Sequence, residues 1–435
     1  MGINWRFLID GGEASALIPL KLLYVIHYAA FSTQTYLPMY FETKEHFTKF
    51  QIGVLLTLPC ICSILGPPIW GLAADLCRNQ KLIHIICLVS AALLMFSLRY
   101  VTSFDVMCLM VFIANFQTQP TWSLLDQTAM SFLSQVGGDY GKQRLYGAVG
   151  YGAGGYLAGT MAAAIGIAWC FNMVLGLSVI SLYLLVRYIP SFDREEGKVA
   201  FAQSMQHILQ QRDLLVLFVI VLFVGVMAGV IDSFLFLYLF NLNNSNAGLV
   251  GVVIAVETTS ELPLFFYANK IIERYGTPKC IIERYGTPKC VIFGLLCYGA
   301  RLVFYVFVQN PWMALPFEAL HGVTFGLIWA AFTNYVYKSA PYGTQGTMIG
   351  LLAAVQKGMG GGLGTLVGGY VYDKYGPRTM WAITALCVPV ALFFTAIFTA
   401  WANPNPSKGE YASIKPSDKS YGSSAQLEEA REVTS

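Results

Sequence analysis

Twelve long apolar runs are the feature that most constrains what this 435-residue chain can fold into. A helix needs about 20 apolar residues to cross the hydrocarbon core of a bilayer, and each run is at least 19 residues long. Only 12% of all residues are charged, about half the share of a soluble domain. We therefore predict an all-α membrane protein. Its twelve transmembrane helices are expected at 17–41, 50–73, 82–101, 104–130, 145–167, 168–189, 214–240, 248–272, 291–309, 312–337, 348–371 and 379–401.

The two halves of the chain share a short sequence repeat. The segments AVGYGAGG at 148–155 and AVQKGMGG at 354–361 align without a gap, each in the fifth span of its half. This repeat predicts two pseudo-symmetric six-helix bundles, at 1–190 and 214–401, with substrate bound between them near the membrane midplane. The basic, polar stretch 191–213 is predicted to be a cytoplasmic linker. The tail 402–435 is rich in Ser, Lys, Glu and Pro and is predicted to be disordered and cytoplasmic.

The basic residues of the loops predict the orientation of the chain. They concentrate in loops on the side of the N-terminus, and the opposite loops carry five, namely Lys44, Lys49, Arg99, Lys374 and Arg378. The positive-inside rule then places both termini in the cytoplasm, for a multi-pass protein of the plasma membrane or an endomembrane. Asn243 begins a glycosylation sequon in an external loop, and the sequence leaves its occupancy open.

A carboxylate, a guanidinium and an aromatic ring occur at helical spacings in the stretch 126–155. Asp126 and Arg144 each lie nine residues from Gln135, in a turn predicted at 134–141, so antiparallel helices are expected to bring both charges to one depth. Tyr151 lies two turns beyond Arg144, close to the same face. Charges inside a membrane usually mark a substrate or ion path, so we predict that the three side chains bind a polar ring compound. The alternative is an Asp126–Arg144 ion pair that only locks two helices together.

Seven charged or histidine residues lie away from the ends of the predicted spans of the second half. Arg301 and His321 are each ten residues from Pro311, which places them about 15 Å deep in the membrane. Glu318 and His321, three residues apart, are expected to share a helical face. The seven residues are Asp232, Glu257, Glu261, Arg301, Glu318, His321 and Lys357.

The charges predicted inside the membrane do not balance. With Asp126 and Arg144 included, the set contains five acids and three bases, and the bases are Arg144, Arg301 and Lys357. A carboxylate buried without a cationic partner is unfavourable in its charged form, and it can therefore bind and release a proton. This favours proton coupling. The alternative is a surplus acid that sits in a wet vestibule and does nothing.

Motifs of other protein classes are missing or out of place. The sequence contains neither a phosphate-binding loop nor an HExxH zinc motif, which argues against an enzyme. Gly150, Gly152 and Gly155 match a dinucleotide fingerprint, but no strand precedes them and they lie within a predicted span. The pair Glu318-x-x-His321 lacks the second motif that a di-iron site in a helical bundle needs. We therefore expect no metal and no cofactor.

A second repeat is of another kind. The segment IIERYGTPKC occurs twice in tandem, at 271–280 and 281–290, without a mismatch. Such identity indicates a recent duplication or an artefact of the gene model, and we expect no function for it.

The chain resembles the major facilitator superfamily over residues 17–401. The end of the second span is a partial form of the superfamily's Gly-x-x-x-Asp-Arg-x-Gly-Arg loop, with Gly71, Asp75 and Arg78 present and Leu76 replacing the first Arg. The spacings of the membrane charges are similar to those of a branch that includes lactose permease-type oligosaccharide–proton symporters, nucleoside–proton symporters and an uncharacterised "associated" family. The resemblance implies the twelve-helix fold and a gating loop at the partial motif.

The resemblance also implies roles for individual residues. Asp126 and Arg144 would bind solute hydroxyls, and Tyr151 would stack on the solute ring where the permeases carry Trp. Thr324 stands where they carry the proton-binding Glu, so we predict that Glu318 takes that role. The remaining implied roles are a solute-site acid at Glu257, a proton-coupling pair at Arg301 and His321, and an interhelical ion pair between Asp232 and Lys357.

These observations together predict a secondary active transporter that moves a sugar or nucleoside by alternating access, with proton symport. The alternatives are an uncoupled facilitator and a non-transporting membrane receptor or scaffold of the same fold. The expected partners are a small-molecule solute, protons and the lipid bilayer, without nucleic acid, and the protein is expected to function as a monomer. The sequence leaves the solute, the direction of transport and the membrane open.

Overall fold

The computed structural model describes residues 15–190 except Arg78 and Asp139, and residues 210–274, 286–340 and 344–401. Side chains are described throughout these ranges except at 72, 75, 76 and 262–274. The described residues form twelve long helices. These are α1 (Ser15–Thr43), α2 (Lys49–Cys77), α3 (Gln80–Tyr100), α4 (Phe104–Val136), α5 (Tyr140–Ile165), α6 (Trp169–Tyr188), α7 (Arg212–Leu242), α8 (Ala247–Arg274), α9 (Thr287–Phe307), α10 (Pro311–Ser339), α11 (345–375) and α12 (Pro377–Trp401).

Each predicted span corresponds to one helix, which confirms the all-α fold, and the largest differences lie between α4 and α5. The predicted turn at 134–141 is shorter in the structure, because α4 continues to Val136 and α5 begins at Tyr140. Gly137 and Gly138 have φ angles of 81° and 126°, which side chains with a Cβ rarely adopt. Two adjacent glycines thus reverse the chain in very few residues.

Three helices, α1, α10 and α11, contain a 3-10 or π-helical segment in their interior. In α1 a 3-10 turn occupies Thr33–Tyr36. In α10 a π-helical segment spans Gly322–Leu327 and follows His321 directly. In α11 a longer π-helical segment spans Ala354–Gly361 and contains Lys357. Segments of this kind are frequent at functional sites, and two of them hold residues that the sequence singled out.

Eight of the twelve helices are long and apolar enough to cross a membrane by length and composition alone, within the described part of the chain. The other four are α4, α5, α8 and α11, which carry Asp126, Arg144, Glu257 and Lys357. Charged and glycine-rich faces lower the mean hydropathy of these helices. The same four helices therefore present a polar side to the protein interior as well as an apolar side to their surroundings.

The internal repeat reappears in the packing. Gly154 of α5 and Gly360 of α11 occupy equivalent positions in the two aligned segments. A Cβ on Gly154 would lie 2.5 Å from the Cα of Ala29 in α1, and a Cβ on Gly360 would lie 2.8 Å from the Cα of Gly225 in α7. The fifth helix of each half thus presses a glycine against the first helix of that half. Small residues of this kind let membrane helices approach closely.

The two halves contact each other along two helix pairs, α5 with α8 and α2 with α11. Within the first 402 residues the described helices form one compact unit, so the division into bundles 1–190 and 214–401 stays a prediction. Most of the predicted linker, residues 191–209, lies outside the described residues, and α7 already begins at Arg212. The tail from 402 and part of the tandem repeat, 275–285, also lie outside them.

Candidate functional site: a polar cavity between the two halves

A cavity of about 480 Å³ lies between the two halves of the chain. One wall comes from α1, α2, α4 and α5, and the other from α7, α9, α10 and α11. Binding sites for small molecules usually measure about 300–1,000 Å³ and combine apolar walls with a few polar groups. The acidic and basic side chains that line the cavity on its two walls are Asp126, Arg144, Asp232, Arg301, His321 and Lys357. The size and lining of the cavity therefore suit a small polar solute.

Asp126 and Arg144 face each other across α4 and α5, as their spacing predicts. Arg144 Nε lies 3.9 Å from Asp126 Oδ1, which is longer than a hydrogen bond. The Tyr24 hydroxyl donates to Asp126 Oδ1 at 2.8 Å, and the Arg144 guanidinium lies 4.8 Å from the centre of the Tyr28 ring. The side chains of Arg144 and Asp126 are 39% and 24% exposed. Their contact is therefore loose, and both groups keep bonding capacity towards the cavity.

The structure places Tyr151 differently from the prediction. Its hydroxyl lies 3.0 Å from Thr35 Oγ1, and Tyr151 is not among the residues that line the cavity. Phe31 and Trp122 line it instead, with ring centres 4.0 Å apart and planes nearly perpendicular. The Tyr151 hydroxyl is instead directed to α1, where Thr35 contacts it. The aromatic side chain of α4 that lines the cavity with Asp126 is therefore Trp122, one turn earlier.

Arg301 is the centre of a buried network in the second half. It is 1% exposed, and its Nη2 donates to Glu318 Oε2 at 2.6 Å. Its Nη1 donates to Thr324 Oγ1 at 2.9 Å, and its Nε donates to the Tyr305 hydroxyl at 3.0 Å. Glu318 is fully buried. Each guanidinium nitrogen thus has a partner, which is what a buried charge requires.

Glu257 and Glu261 of α8 form the outer side of this network. Glu257 Oε1 lies 3.6 Å from Arg301 Nη2 and 3.7 Å from His321 Nδ1. Glu261 Oε1 lies 2.9 Å from His321 Nε2. Glu318 and His321, which were expected to share a face, both contact Arg301, and Glu257 lies next to both of them. Because α10 is irregular between them, His321 turns towards α8 and Glu318 turns towards α9.

A neighbouring serine supports this arrangement. The backbone N–H of Gly322, at the start of the π-helical segment, donates to Ser260 Oγ at 3.1 Å. A π-helical turn shifts the usual backbone hydrogen-bond pattern, and Ser260 supplies an acceptor at that point. Ser260 and Glu261 are consecutive, so α8 binds the backbone and the imidazole at the same turn of α10. This contact fixes the direction of the His321 ring.

Asp232 of α7 and Lys357 of α11 both face the cavity, and both side chains are exposed there. The direct ion pair predicted between them is absent from the ion pairs of the described residues. The open cavity explains the difference, because solvent there can stabilise each charge separately. Each of the two residues is thus placed to contact a solute.

The Asp232–Lys357 pairing stays a prediction for a conformation in which the cavity closes and excludes solvent. Removing one partner would then strand a buried charge, whereas removing both is often tolerated. We expect uptake at matched expression to fall further in Asp232→Ala or Lys357→Ala than in the double variant. Simply additive losses in this double-mutant cycle would show that the two charges never meet.

The predicted gating loop lies at the edge of the described residues. Gly71 is within α2, which continues to Cys77. The side chain of Asp75 and all of Arg78 lie outside the described residues. The role of these three residues therefore stays a prediction.

Sequence reasoning missed several residues of the site. Trp122 precedes Asp126 by four residues, so the same helical spacing that selected Tyr151 also pointed to it. Tyr305 follows Arg301 by four residues and carries the same signal. Phe31 and Tyr28 carried a weaker signal, because the nearest charged residue of α1, Lys21, lies two or more turns before them.

Comparisons with known proteins place this geometry in a family. Residues 17–383 match the MFS_1 like family. A maltose permease of Geobacillus stearothermophilus is 23% identical over 88% of this chain and 94% of its own length. A putative nucleoside transporter of Escherichia coli, YegT, is 22% identical over 87% of this chain and 91% of its own.

Solved structures show the same fold. The crystal structure of the nucleoside transporter NupG has a TM-score of 0.77 and 16% identity, over 89% of this chain and 99% of that protein. A bacterial homologue of the human lysosomal transporter Spinster has a TM-score of 0.65 and 15% identity, over 88% of this chain and 96% of that protein. The fold is thus that of major facilitator transporters, and the chain, an integral multi-pass membrane protein, belongs to the MFS_1 like family.

Proposed function

We propose that this protein is a proton-coupled symporter of a small polar ring solute, a sugar or a nucleoside. The observation that carries the proposal is the cavity between the two halves, with a loose acid–guanidinium pair on one wall and a buried Arg301–Glu318 pair behind the other. The names of the relatives support the solute class, since one is a maltose permease and another a putative nucleoside transporter. The cytoplasmic location of both termini is part of the proposal.

The first wall is suited to bind the solute. Arg144 offers a planar fork of N–H donors, and Asp126 offers carboxylate oxygens as acceptors. Hydroxyl groups of a sugar or ribose can accept from the one and donate to the other. Trp122 and Phe31 add aromatic surface for the apolar face of a ring. We therefore assign solute binding to Asp126, Arg144 and Trp122, with Glu257 as an acid near the opposite wall.

The second wall is suited to bind a proton. Glu257 and Glu318 both lie near Arg301, and one guanidinium neutralises only one carboxylate. The other acid must be protonated or solvated. Glu318 is fully buried in this conformation, so a proton held there is separated from the cavity. We assign the proton site to Glu318, with Arg301 and His321 as its neighbours.

A substrate panel tests the proposal directly. Purified protein in lipid vesicles would be offered labelled sugars and nucleosides, with and without an imposed pH gradient. The proposal expects accumulation of at least one solute only when the gradient is present. Equilibration without accumulation would make the protein an uncoupled facilitator, and binding without any movement would support the receptor alternative.

Alternating access is supported by a closed face where α1 ends and α2 begins. There the Lys49 backbone N–H donates to Asp373 Oδ1 at 3.0 Å, and Asn241 Nδ2 donates to Glu42 Oε2 at 3.0 Å. Both bonds join the first half to the second. Lys49 also forms an ion pair with Glu42. These contacts must break if this face opens during transport.

Glycines allow the same face to close. A Cβ on Gly369 of α11 would lie 2.8 Å from the Cα of Gly53 in α2, closer than packed atoms tolerate. Overpacking costs about 1–3 kcal/mol, so Gly369→Leu is expected to shift the conformational equilibrium about 5- to 150-fold towards an open face. Spin labels at the exposed positions 44 and 375 should then move apart, and net uptake should fall.

A matched control is available on α6. Gly176 has open space where a Cβ would lie, so Gly176→Leu should change neither the label distance nor uptake. An unchanged distance distribution in Gly369→Leu would mean that this face does not control access.

A further inference from the structure

Tyr305 is a buried residue of the second wall to which the proposed function assigns no role. It lies one turn beyond Arg301 on α9 and is fully buried. Its hydroxyl accepts a hydrogen bond from Arg301 Nε at 3.0 Å and donates one to Glu318 Oε1. Arg301 Nη2 donates to the other carboxylate oxygen, Oε2. Each oxygen of Glu318 therefore accepts from a different residue.

The two donors differ in what they can do when Glu318 binds a proton. A guanidinium carries only N–H donors and cannot accept a hydrogen bond. A proton on Oε2 would therefore find no hydrogen-bond acceptor in Arg301. A tyrosine hydroxyl is both donor and acceptor, so it can turn and accept from a newly formed carboxylic acid. The proton on Glu318 thus belongs on Oε1, the oxygen that faces Tyr305.

We propose that Tyr305 is a positioning residue for proton binding, which directs the proton to Glu318 Oε1 and holds the ionised carboxylate until the proton arrives. In the step, a proton from solvent forms an O–H bond at Oε1. The Tyr305 O–H bond stays intact, and its hydrogen bond to Glu318 reverses direction. The inference rests on the proposed proton coupling for its role in transport, but the arrangement of the three side chains is independent of any solute.

The surroundings of the pair carry several other charges, which a change at Tyr305 leaves in place. Glu257 lies 3.6 Å from Arg301 Nη2, and His321 Nδ1 lies 3.4 Å from Arg301 Nη1. Further groups face this region from each neighbouring helix. They are Asp232 on α7, Glu261 on α8, Tyr298 on α9 and Lys357 on α11. Removing the hydroxyl therefore takes away two hydrogen bonds, the one to Glu318 and the one from Arg301, at constant charge.

The direction of the expected effect follows from the bond that is lost. A hydrogen bond to a charged group contributes more than a bond between neutral groups, so Tyr305 favours the ionised form of Glu318 over the protonated form. Tyr305→Phe should consequently let Glu318 bind its proton at higher pH. The difference between the two kinds of bond corresponds to a shift of about one pH unit.

Infrared difference spectroscopy of the full-length protein in lipid can measure this without any solute. The carbonyl band of the protonated carboxyl would be assigned to Glu318 by its absence in Glu318→Gln, and its midpoint followed against pH. We expect the midpoint to move up by about one unit in Tyr305→Phe. Tyr238→Phe is the matched control, because this buried hydroxyl donates to backbone carbonyls of Tyr305 and Val308 and not to Glu318. Its midpoint should equal that of the unmodified protein.

A second variant keeps the inference testable if Tyr305→Phe fails to fold. Fluorotyrosine at position 305 preserves size and hydroxyl but is a stronger donor, so the midpoint should move in the opposite direction, to lower pH. An unchanged midpoint in either variant would overturn the role of Tyr305. If uptake by the unmodified protein did not depend on pH, the proposed coupling would be overturned instead. A shifted midpoint of the carbonyl band in Tyr305→Phe would still support the hydrogen bond between Tyr305 and Glu318.

Discussion

Glu318→Gln is expected to abolish accumulation of solute driven by a pH gradient while sparing exchange of solute present on both sides of the membrane. Glutamine has nearly the size of glutamate and keeps an oxygen that can accept from Tyr305 or Arg301. It cannot bind and release a proton in the physiological range. During exchange the transporter returns with solute bound and no net proton crosses the membrane, so exchange should continue. Counterflow and gradient-driven uptake in the same vesicles measure the two activities separately.

The structure explains why this variant should fold. Removing one member of a buried ion pair usually leaves an uncompensated charge. Here Glu257 Oε1 already lies 3.6 Å from Arg301 Nη2 and can neutralise the guanidinium. Glu257→Gln is expected to lose both activities, because Glu257 contacts both Arg301 and His321, two residues that line the cavity. Asp105, an exposed acid in the first turn of α4, provides the control Asp105→Asn, which should keep both activities.

The contrary result is equally clear. If Glu318→Gln still concentrates solute against its gradient, the coupling proton binds elsewhere. If the unmodified protein ignores pH, it is a facilitator, and the pairing of Arg301 with two acids needs another explanation.

Arg144→Lys is expected to lower uptake about 10- to 100-fold, with protein in the membrane at its normal level. Lysine keeps the positive charge but loses the planar fork that contacts two hydroxyls at once. A hydrogen bond to a charged group contributes about 1.5–3 kcal/mol, and losing one such bond gives a change of that size. Initial uptake rates at low solute concentration, together with surface expression, measure the effect.

The loose contact in the structure makes this test informative. Because 3.9 Å separates Arg144 Nε from Asp126 Oδ1, the guanidinium is not mainly a structural partner of the carboxylate. Arg99→Lys serves as the control, since Arg99 donates to Asn172 at 2.9 Å and lies away from the cavity lining. Unchanged uptake in Arg144→Lys would favour the alternative in which Asp126 and Arg144 only hold two helices together.

The class of fold could be predicted from the sequence because a bilayer imposes it. Twelve apolar runs of sufficient length leave helices as the means of satisfying backbone hydrogen bonds in the membrane, and the structure has a helix for each. Spacing also predicted two contacts. Asp126 and Arg144 are each nine residues from Gln135, and Arg301 and His321 are each ten residues from Pro311. Antiparallel helices bring such residues to the same depth, and Arg301 Nη1 lies 3.4 Å from His321 Nδ1.

Depth alone does not determine which way a side chain points. Tyr151 has the predicted depth, yet its hydroxyl meets Thr35 of α1, a helix whose packing the local sequence does not encode. Asp232 and Lys357 were expected to pair, but in this conformation both line the open cavity, and the described residues show no ion pair between them. The irregular turns of α10 and α11 rotate the residues that follow them, and no periodicity of the sequence announced those turns.

The sequence by itself thus determined the membrane class, the helix boundaries to within a few residues and which charges of neighbouring helices lie close together, as Arg301 and His321 do, since these depend on hydropathy and on the rise per residue. Only the tertiary structure decided which acids share Arg301, that Trp122 and not Tyr151 faces the cavity, and that Tyr305 binds Glu318. Those contacts depend on the rotation and crossing of helices distant in sequence, such as α1 with α5 and α8 with α10. Rotation is set by packing between helices, so it exists only once the helices have met.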